Sequence, residues 1–577
     1  MKKYVYVLLS IFLLSACKKD DSTESDGYNY LFKSYLLEHF DIDGDGVIST
    51  QEAAAIKEID CSGKSIYSLE GIQFLPNVES LICSNNHITT LNVSENTKLK
   101  LLICDNNTID TIRVGNNPAL HTLVCDGNKI TELDVSKNLL LETLSCSYGN
   151  GLNSIVINPE LKSLNIMGHN MSALDFNGNK YLKELYCGGS NMTDLTVSGT
   201  AIEMLDCSGG KITQLNLNGC TSLKSLTCDG DGLTLNLSDC SSLENLYVNA
   251  ITNLNVSRTT LLKTLHCTNS ELSILDLSSN PALEDLKLTG TTISGSINLS
   301  NNFQLVSVDL GRSINQSVFD LSNRKLLKTL SSGRGEWTLE SLNLSGCTSL
   351  ETINLEFGII QSLNLSGCQA LTVLRCHNSQ LTELNLKGCT RLLTLDCSWN
   401  YLTELEVDDC TRLTELNCSG NQLTSLKTNS ANLQIFNCLS NQITVINLRN
   451  HTRIKELLCS DNKLTALDLT GCTSLIELDC RNMLTLESLT LTNCNALERL
   501  FVSNCSLSKL DVSNCQALTH LFCAANSIQP SLDASKCIFI SELNCISNPE
   551  LTELLLARNH TINLLQTDNQ TTITLVN

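Results

Sequence analysis

Near the start of the chain, four acidic residues fall inside one stretch of twelve, at a spacing that suits a divalent cation. The stretch reads Asp41-Ile-Asp43-Gly-Asp45-Gly46-Val47-Ile-Ser49-Thr-Gln-Glu52. Carboxylates stand at its first, third and fifth positions, and Gly46 permits the sharp turn. Val47 offers a carbonyl, Ser49 a direct or water-bridged oxygen, and Glu52 a carboxylate able to bind through both oxygens. This is the donor set of the twelve-residue EF-hand loop, whose flexible cage of hard oxygens suits Ca2+. Flanking residues 30–40 and 50–59 have helical character, with Leu31, Tyr35, Leu36 and Phe40 along one side. A single loop argues for a structural ion rather than a sensor, because sensor loops work in pairs.

Little else in the chain looks like catalysis. The nine His are scattered, and no metalloprotease, nucleophile-elbow or phosphate-cradling motif occurs. Asp396, Glu415, Glu456, Glu477 and Asp479 recur in equivalent places late in the chain. Paired acids can hydrolyse glycosides, but a dispersed acidic row reads as a solvated face. No catalytic residue is assigned, and an enzyme is not expected.

The elements that must position these residues follow from a period of about 21 residues in the frame L-x-x-L-x-C-x-x-N. Examples are Leu99-Lys-Leu-Leu102-Ile-Cys104-Asp-Asn-Asn107 and Leu392-Leu-Thr-Leu395-Asp-Cys397-Ser-Trp-Asn400. Such a period signals a solenoid. Carried through, the register gives about 24 turns with strand centres running from 61 to 545, seventeen of them Cys. Each turn holds a second half of similar form, as in Leu384-Asn-Leu386-Lys-Gly-Cys389. Two short extended pieces per turn send alternate side chains inward, and stacking must bury what one turn cannot.

This frame resembles the bacterial leucine-rich repeats of 21 residues, and among them the internalins, in which Cys can replace one core Leu per turn. The resemblance covers about residues 56–556. It implies an α/β solenoid of the leucine-rich-repeat class, with a curved parallel β-sheet of about 24 turns and a small helical N-terminal cap. Internalins bind host surface proteins or mucins through the concave face. They also carry an EF-hand-like cap that has lost its metal ligands, whereas this chain keeps a full set.

Met1-Lys-Lys, the apolar run 5–14 and Leu14-Ser15-Ala16-Cys17 form an export signal. Cys17 after Leu-Ser-Ala resembles a lipobox, which implies acylation at Cys17. The charged Lys18-Lys19-Asp20-Asp21 looks like a surface-export tract of outer-membrane lipoproteins in Gram-negative bacteria. The expected division is therefore signal peptide 1–16, tether 17–29, calcium cap 30–57, solenoid 58–556 and C-terminal cap 557–577. A formal net charge of −21 argues against nucleic acid as a partner.

Twenty-nine Cys in an exported chain would ordinarily suggest disulfides. Here seventeen lie in the strand-centre column and nine in a second column, at 220, 240, 347, 368, 389, 410, 472, 494 and 515, leaving Cys17, Cys505 and Cys537 outside both. Neighbours in a column sit about 4.8 Å apart with parallel Cβ directions, wider than the roughly 3.8 Å a bridge prefers. Most are expected to be buried free thiols.

One row departs from the rest. Two residues after the strand centre, most turns have Asn, Gly, Ser or Ala, but between 310 and 400 the row reads Arg312, Arg334, Phe357, Asn378 and Trp399, with Arg375 and His377 beside it. Arg and aromatic side chains concentrate at interaction hot spots. The expected function is a monomeric surface lipoprotein whose solenoid binds a protein or glycoprotein, such as a host mucin or receptor, through these residues. A glycan-binding protein and a parallel β-helix polysaccharide-degrading enzyme are the alternatives.

Overall fold

The computed structural model describes residues 30–149, 151–169, 171–176, 178–230, 232–314, 316–333, 338–558 and 562–576. The export signal, Cys17 and Arg334 lie outside them. The chain divides into two compact units, 1–271 and 272–577.

The first unit opens with helix α1, Tyr30–Phe40, and helix α2, Thr50–Ala55. Ser49 caps α2 in a reciprocal box, its hydroxyl accepting from the Glu52 amide while the Glu52 carboxylate accepts from the Ser49 amide. This satisfies two donors that a helix start leaves orphaned. Phe32 and Leu36 are buried, and the Tyr35 hydroxyl donates to the Asp60 carbonyl at 2.7 Å. Asn77 ties the end of α2 to the next turn through the Ala54 carbonyl. The helices thus cover the first strand, Glu58–Asp60, whose outer edge would otherwise be unpaired.

From there, each turn of the first unit adds one three- to five-residue strand to a parallel sheet in unbroken register, from Ile59↔Leu81 to Val248↔Cys267. The second unit repeats the pattern, with Leu395↔Leu416 and Leu500↔Leu521. Both units are parallel β-solenoids, together holding about 24 turns. The inward residues are Leu, Ile, Val and Cys, nearly all fully buried.

Asn of the repeat frame supplies a second ladder. The Asn400 amide donates to the carbonyls of Cys397 and, one turn back, Cys376, both at 2.9 Å. Its Oδ1 accepts from the Leu381 amide. With the Ser379 amide and Ser398 carbonyl also bonded to it, one side chain so pairs five backbone groups that the narrow turn leaves without partners. Where the frame has no Asn, other side chains take its place. His169 bonds the Cys146 carbonyl through Nε2 and accepts from the Leu152 amide at Nδ1, so its ring is fixed as the Nε2–H tautomer. A Cβ at position 149 would stand 2.9 Å from this ring, so Gly149 makes room for it.

All 28 described Cys are buried, and none is in a disulfide. Two assignments from the repeat need correction. Cys537 belongs to the second column, because its thiol donates to the Val512 carbonyl at 3.4 Å as Cys368 does to Leu344 at 3.2 Å. Cys505 stands in the Asn position and points its thiol at the Cys480 carbonyl, 3.2 Å away. The second column itself begins as Asn: Asn117 donates to the Val93 carbonyl and Asn138 to that of Val114. In this column Cys is a hydrogen-bond donor that replaces Asn, and not merely a small hydrophobe.

At the C-terminal end, Leu564–Gln566 and Thr572–Val576 extend the two strand ladders by one more turn. This last turn leaves Ile573 and Leu575 exposed.

Candidate functional site

At the calcium loop, the carboxylates of Asp41, Asp43 and Asp45 offer oxygens all within 4.8 Å of one another. Backbone amides shape the loop around them: Gly44 and Gly46 donate to the two oxygens of Asp41, both at 2.8 Å, and Val47 donates to Asp45 at 2.8 Å. Glu52 is buried and lies outside that triplet. Its oxygens accept from the Ile42 amide at 2.7 Å and the Ser49 amide at 2.8 Å. These amides, Ser49 first, hold the Glu52 carboxyl below its ordinary range. The three Asp carboxylates converge and are hard oxygen donors, the kind that suits Ca2+, while Glu52 would have to turn an oxygen toward them to complete the set. Glu52 keeps lone pairs free while clamping the loop, and Ser49 spends its hydroxyl as the cap of α2.

Within the second unit, the expected strip of residues is only partly assembled. Phe357 and Trp399 share a register, with Asn378 between them, and all three have left-handed backbones, φ 62, 54 and 54 degrees. The same holds through the chain: Asn85, Asn106, Gly168, Gly189, Gly420 and Asn482 fill this register with positive φ. A left-handed residue places its Cβ against the following carbonyl, which only Gly, and to a lesser degree Asn and Asp, tolerate cheaply. That conformation, more than lack of space, explains the small residues in the row. Bulky side chains there cost about 1–3 kcal/mol each. Phe357 is 40% and Trp399 61% exposed, with Phe357 edge-on to His377 and Trp399 against Gly420, so each ring is only partly packed. Tyr148, in the first unit, is a third such residue, with φ 51 degrees and 68% exposure, and the sequence reading passed over it.

Arg312 does not share the register. In its longer turn the left-handed residue is Gly311, φ 73 degrees, and the Arg312 amide donates to Thr291 at 3.0 Å. The bend of this turn falls one position earlier than in the turns of Phe357, Asn378 and Trp399. Arg312 is exposed, one step beyond the row. Arg375 is exposed on the face of the main sheet, in register with Asn354 and Asp396.

His377 is tied in more tightly. Phe357 meets its ring edge-on at 4.9 Å and 83 degrees, and its Nδ1 lies 3.7 Å from Glu356 and 3.8 Å from Asp396. The late acidic row is partly neutralised, since Glu477 pairs with Arg499 at 2.5 Å and Asp479 with Arg481 at 2.6 Å. Farther along the same sheet, Phe501 and Phe522 stack at 5.4 Å, with Arg481 over Phe501.

These turns have known counterparts. YopM from Yersinia enterocolitica WA-314 superposes with a TM-score of 0.55 at 19% identity, covering 87% of this chain and 99% of that one. The fold is that of a leucine-rich repeat. A stretch of 66 residues, 11% of the leucine-rich-repeat chain, is 36% identical to internalin J of Listeria monocytogenes serotype 4b (strain F2365), over 7% of that protein's length. The functional domain of InlJ from Listeria monocytogenes, which includes a cysteine ladder, matches at 22% identity over 77% of this chain and 82% of its own, with a TM-score of 0.42. No family model matches the chain. The fold rests on the YopM superposition, while the left-handed aromatic residues and the carboxylate loop are read from this chain alone.

Proposed function

We propose that this leucine-rich-repeat chain is a non-catalytic, exported binding protein, anchored by a lipid on Cys17 at the outer surface of a Gram-negative cell. Its second unit takes a protein or glycoprotein partner through Phe357, Trp399, Arg375, His377 and Arg312, together with Arg334, which lies outside the described residues. One observation carries the reading: two large aromatic residues are kept exposed in a backbone conformation that disfavours them. Sites that retain such strain are commonly functional, and exposed aromatics beside Arg are the side chains from which hot spots are built.

Ca2+ at Asp41, Asp43, Asp45 and Glu52, with Val47 and Ser49, serves as a structural ion that rigidifies the N-terminal cap.

A glycan ligand is the second reading, favoured by one detail. The Trp399 ring lies against Gly420, so close that a Cβ there would stand 2.8 Å from ring atoms. An indole seated on backbone offers a face for a sugar ring. Titration calorimetry of the mature chain against mucins, deglycosylated mucins and dietary polysaccharides separates the readings. Binding that survives deglycosylation supports the protein partner; binding to polysaccharide alone replaces it with the glycan reading; no binding by any exposed-surface variant or parent overturns both for these ligands.

A further inference from the structure

Glu356, His377 and Asp396 come from three successive turns of the second unit and meet on the exposed face of its main sheet. The His377 Nδ1 lies 3.7 Å from a Glu356 oxygen and 3.8 Å from an Asp396 oxygen. Both separations are too long for hydrogen bonds. The same nitrogen is shielded from solvent and has no hydrogen-bond partner. A shielded ring nitrogen aimed between two carboxylates and bonded to neither is costly unless something fills the gap.

We propose that these three side chains bind a divalent transition-metal cation. Ligands about 2.1 Å from one ion stand roughly 3.4 Å apart at a tetrahedral angle; the Glu356 and Asp396 oxygens flank Nδ1 but stand more than 4.8 Å from each other, so both carboxylates must rotate inward on binding. The surroundings already orient the donors. Ser398 donates its amide at 3.1 Å and its hydroxyl at 2.6 Å to Asp396 Oδ1, which leaves Oδ2 turned toward His377. The edge-on Phe357 ring fixes the imidazole plane. Outer contacts of this kind are what hold metal ligands in place. Imidazole with carboxylates favours zinc and its neighbours, whereas the all-oxygen loop at Asp41 favours Ca2+. Arg375, in register beside Asp396, lowers the affinity by repulsion. Three protein ligands leave a coordination position open, and the partly exposed site can offer it to an oxygen donor of a bound partner. This inference does not depend on the partner-binding reading.

Zinc alone is the probe. It is titrated calorimetrically into the full mature chain, with excess Ca2+ to saturate the loop and a phosphine reductant to keep thiols reduced. The parent should bind one more zinc than His377→Ala or Asp396→Asn, and Glu356→Gln should bind that zinc at least tenfold more weakly. Asp43→Asn should leave zinc stoichiometry unchanged. In parallel, the Co2+-loaded parent should show visible d–d absorption that His377→Ala loses while its circular dichroism matches the parent. Equal zinc stoichiometry in parent and His377→Ala, or a cobalt spectrum indifferent to that substitution, overturns the site.

Discussion

Trp399 and Gly420 occupy the same left-handed register in adjacent turns, and the indole of the first rests where a Cβ of the second would be. Gly420 has φ 65 degrees, and an added Cβ would meet three Trp399 ring atoms, the nearest at 2.8 Å. Gly420→Ala should therefore both strain the backbone and displace the indole. A loss of about 1 kcal/mol or more is expected, read as a lower denaturation midpoint, and the fluorescence of Trp399 should shift as its ring moves. Unchanged stability and emission would mean that the ring does not rest on Gly420.

The calcium reading predicts a cap that depends on its ion. At a hundredfold excess over the dissociation constant, Ca2+ should add about 2.7 kcal/mol to whichever unit carries the loop. The measurement is a melting curve with Ca2+ and with chelator. Asp45→Ala should remove the difference, and identical curves for the parent would remove the ion from the account.

Without Ca2+, pH tests the same loop. The Glu52 carboxyl is held below its ordinary value by the amides of Ser49 and Ile42 and by the Ser49 hydroxyl. A depressed folded-state value means that its stabilisation is complete above the ordinary carboxylate range and fades as pH falls through the lower folded value. Cap melting should be flat from pH 7 to about 5 and drop below roughly pH 4.3. Glu52→Gln should lower the plateau and flatten that drop; an unchanged pH profile would contradict the clamp.

The two thiol columns should respond in opposite ways to the same substitutions. Cys418, in the strand-centre column, is fully buried, and burial raises its thiol to about 12. Cys418→Val should be nearly neutral there, while Cys418→Ser should cost about 1–3 kcal/mol. Cys368 instead donates to the Leu344 carbonyl. At that position Ser should be the better tolerated, and Val should lose about 1 kcal/mol with the bond. Urea denaturation of the four variants reads the order, and the same order in both columns would refute the donor role.

Much of this arrangement was legible beforehand, and the misses have physical causes. The repeat of Leu and Cys gave the solenoid and its register, because inward positions tolerate so few side chains. The carboxylate spacing pointed to Asp41, Asp43 and Asp45, which do lie together. The left-handed register was visible as an excess of Gly and Asn, but it read as smallness, since side-chain size and backbone conformation leave the same trace in composition. Cys537 escaped its column because Ala534 stands where the frame has Leu or Val three residues before the Cys. Arg312 was placed in the row because counting from the strand centre does not reveal that this turn bends at Gly311. Glu356 was missed although it lies one turn before His377, because an acidic residue on an acidic chain carries no signal until its oxygen is seen 3.7 Å from Nδ1.

The central claim is that Phe357 and Trp399 are kept at a cost to the fold because a partner needs them. The direct measurement pairs thermal stability with partner affinity for Phe357→Asn/Trp399→Asn, Asn being the residue that neighbouring turns use in this register. The account predicts stability equal to or above that of the parent, since about 1–3 kcal/mol of strain per site is relieved, together with a loss of at least 2 kcal/mol in binding. A double variant that binds like the parent, or that loses binding only because it unfolds at a lower temperature, would contradict it.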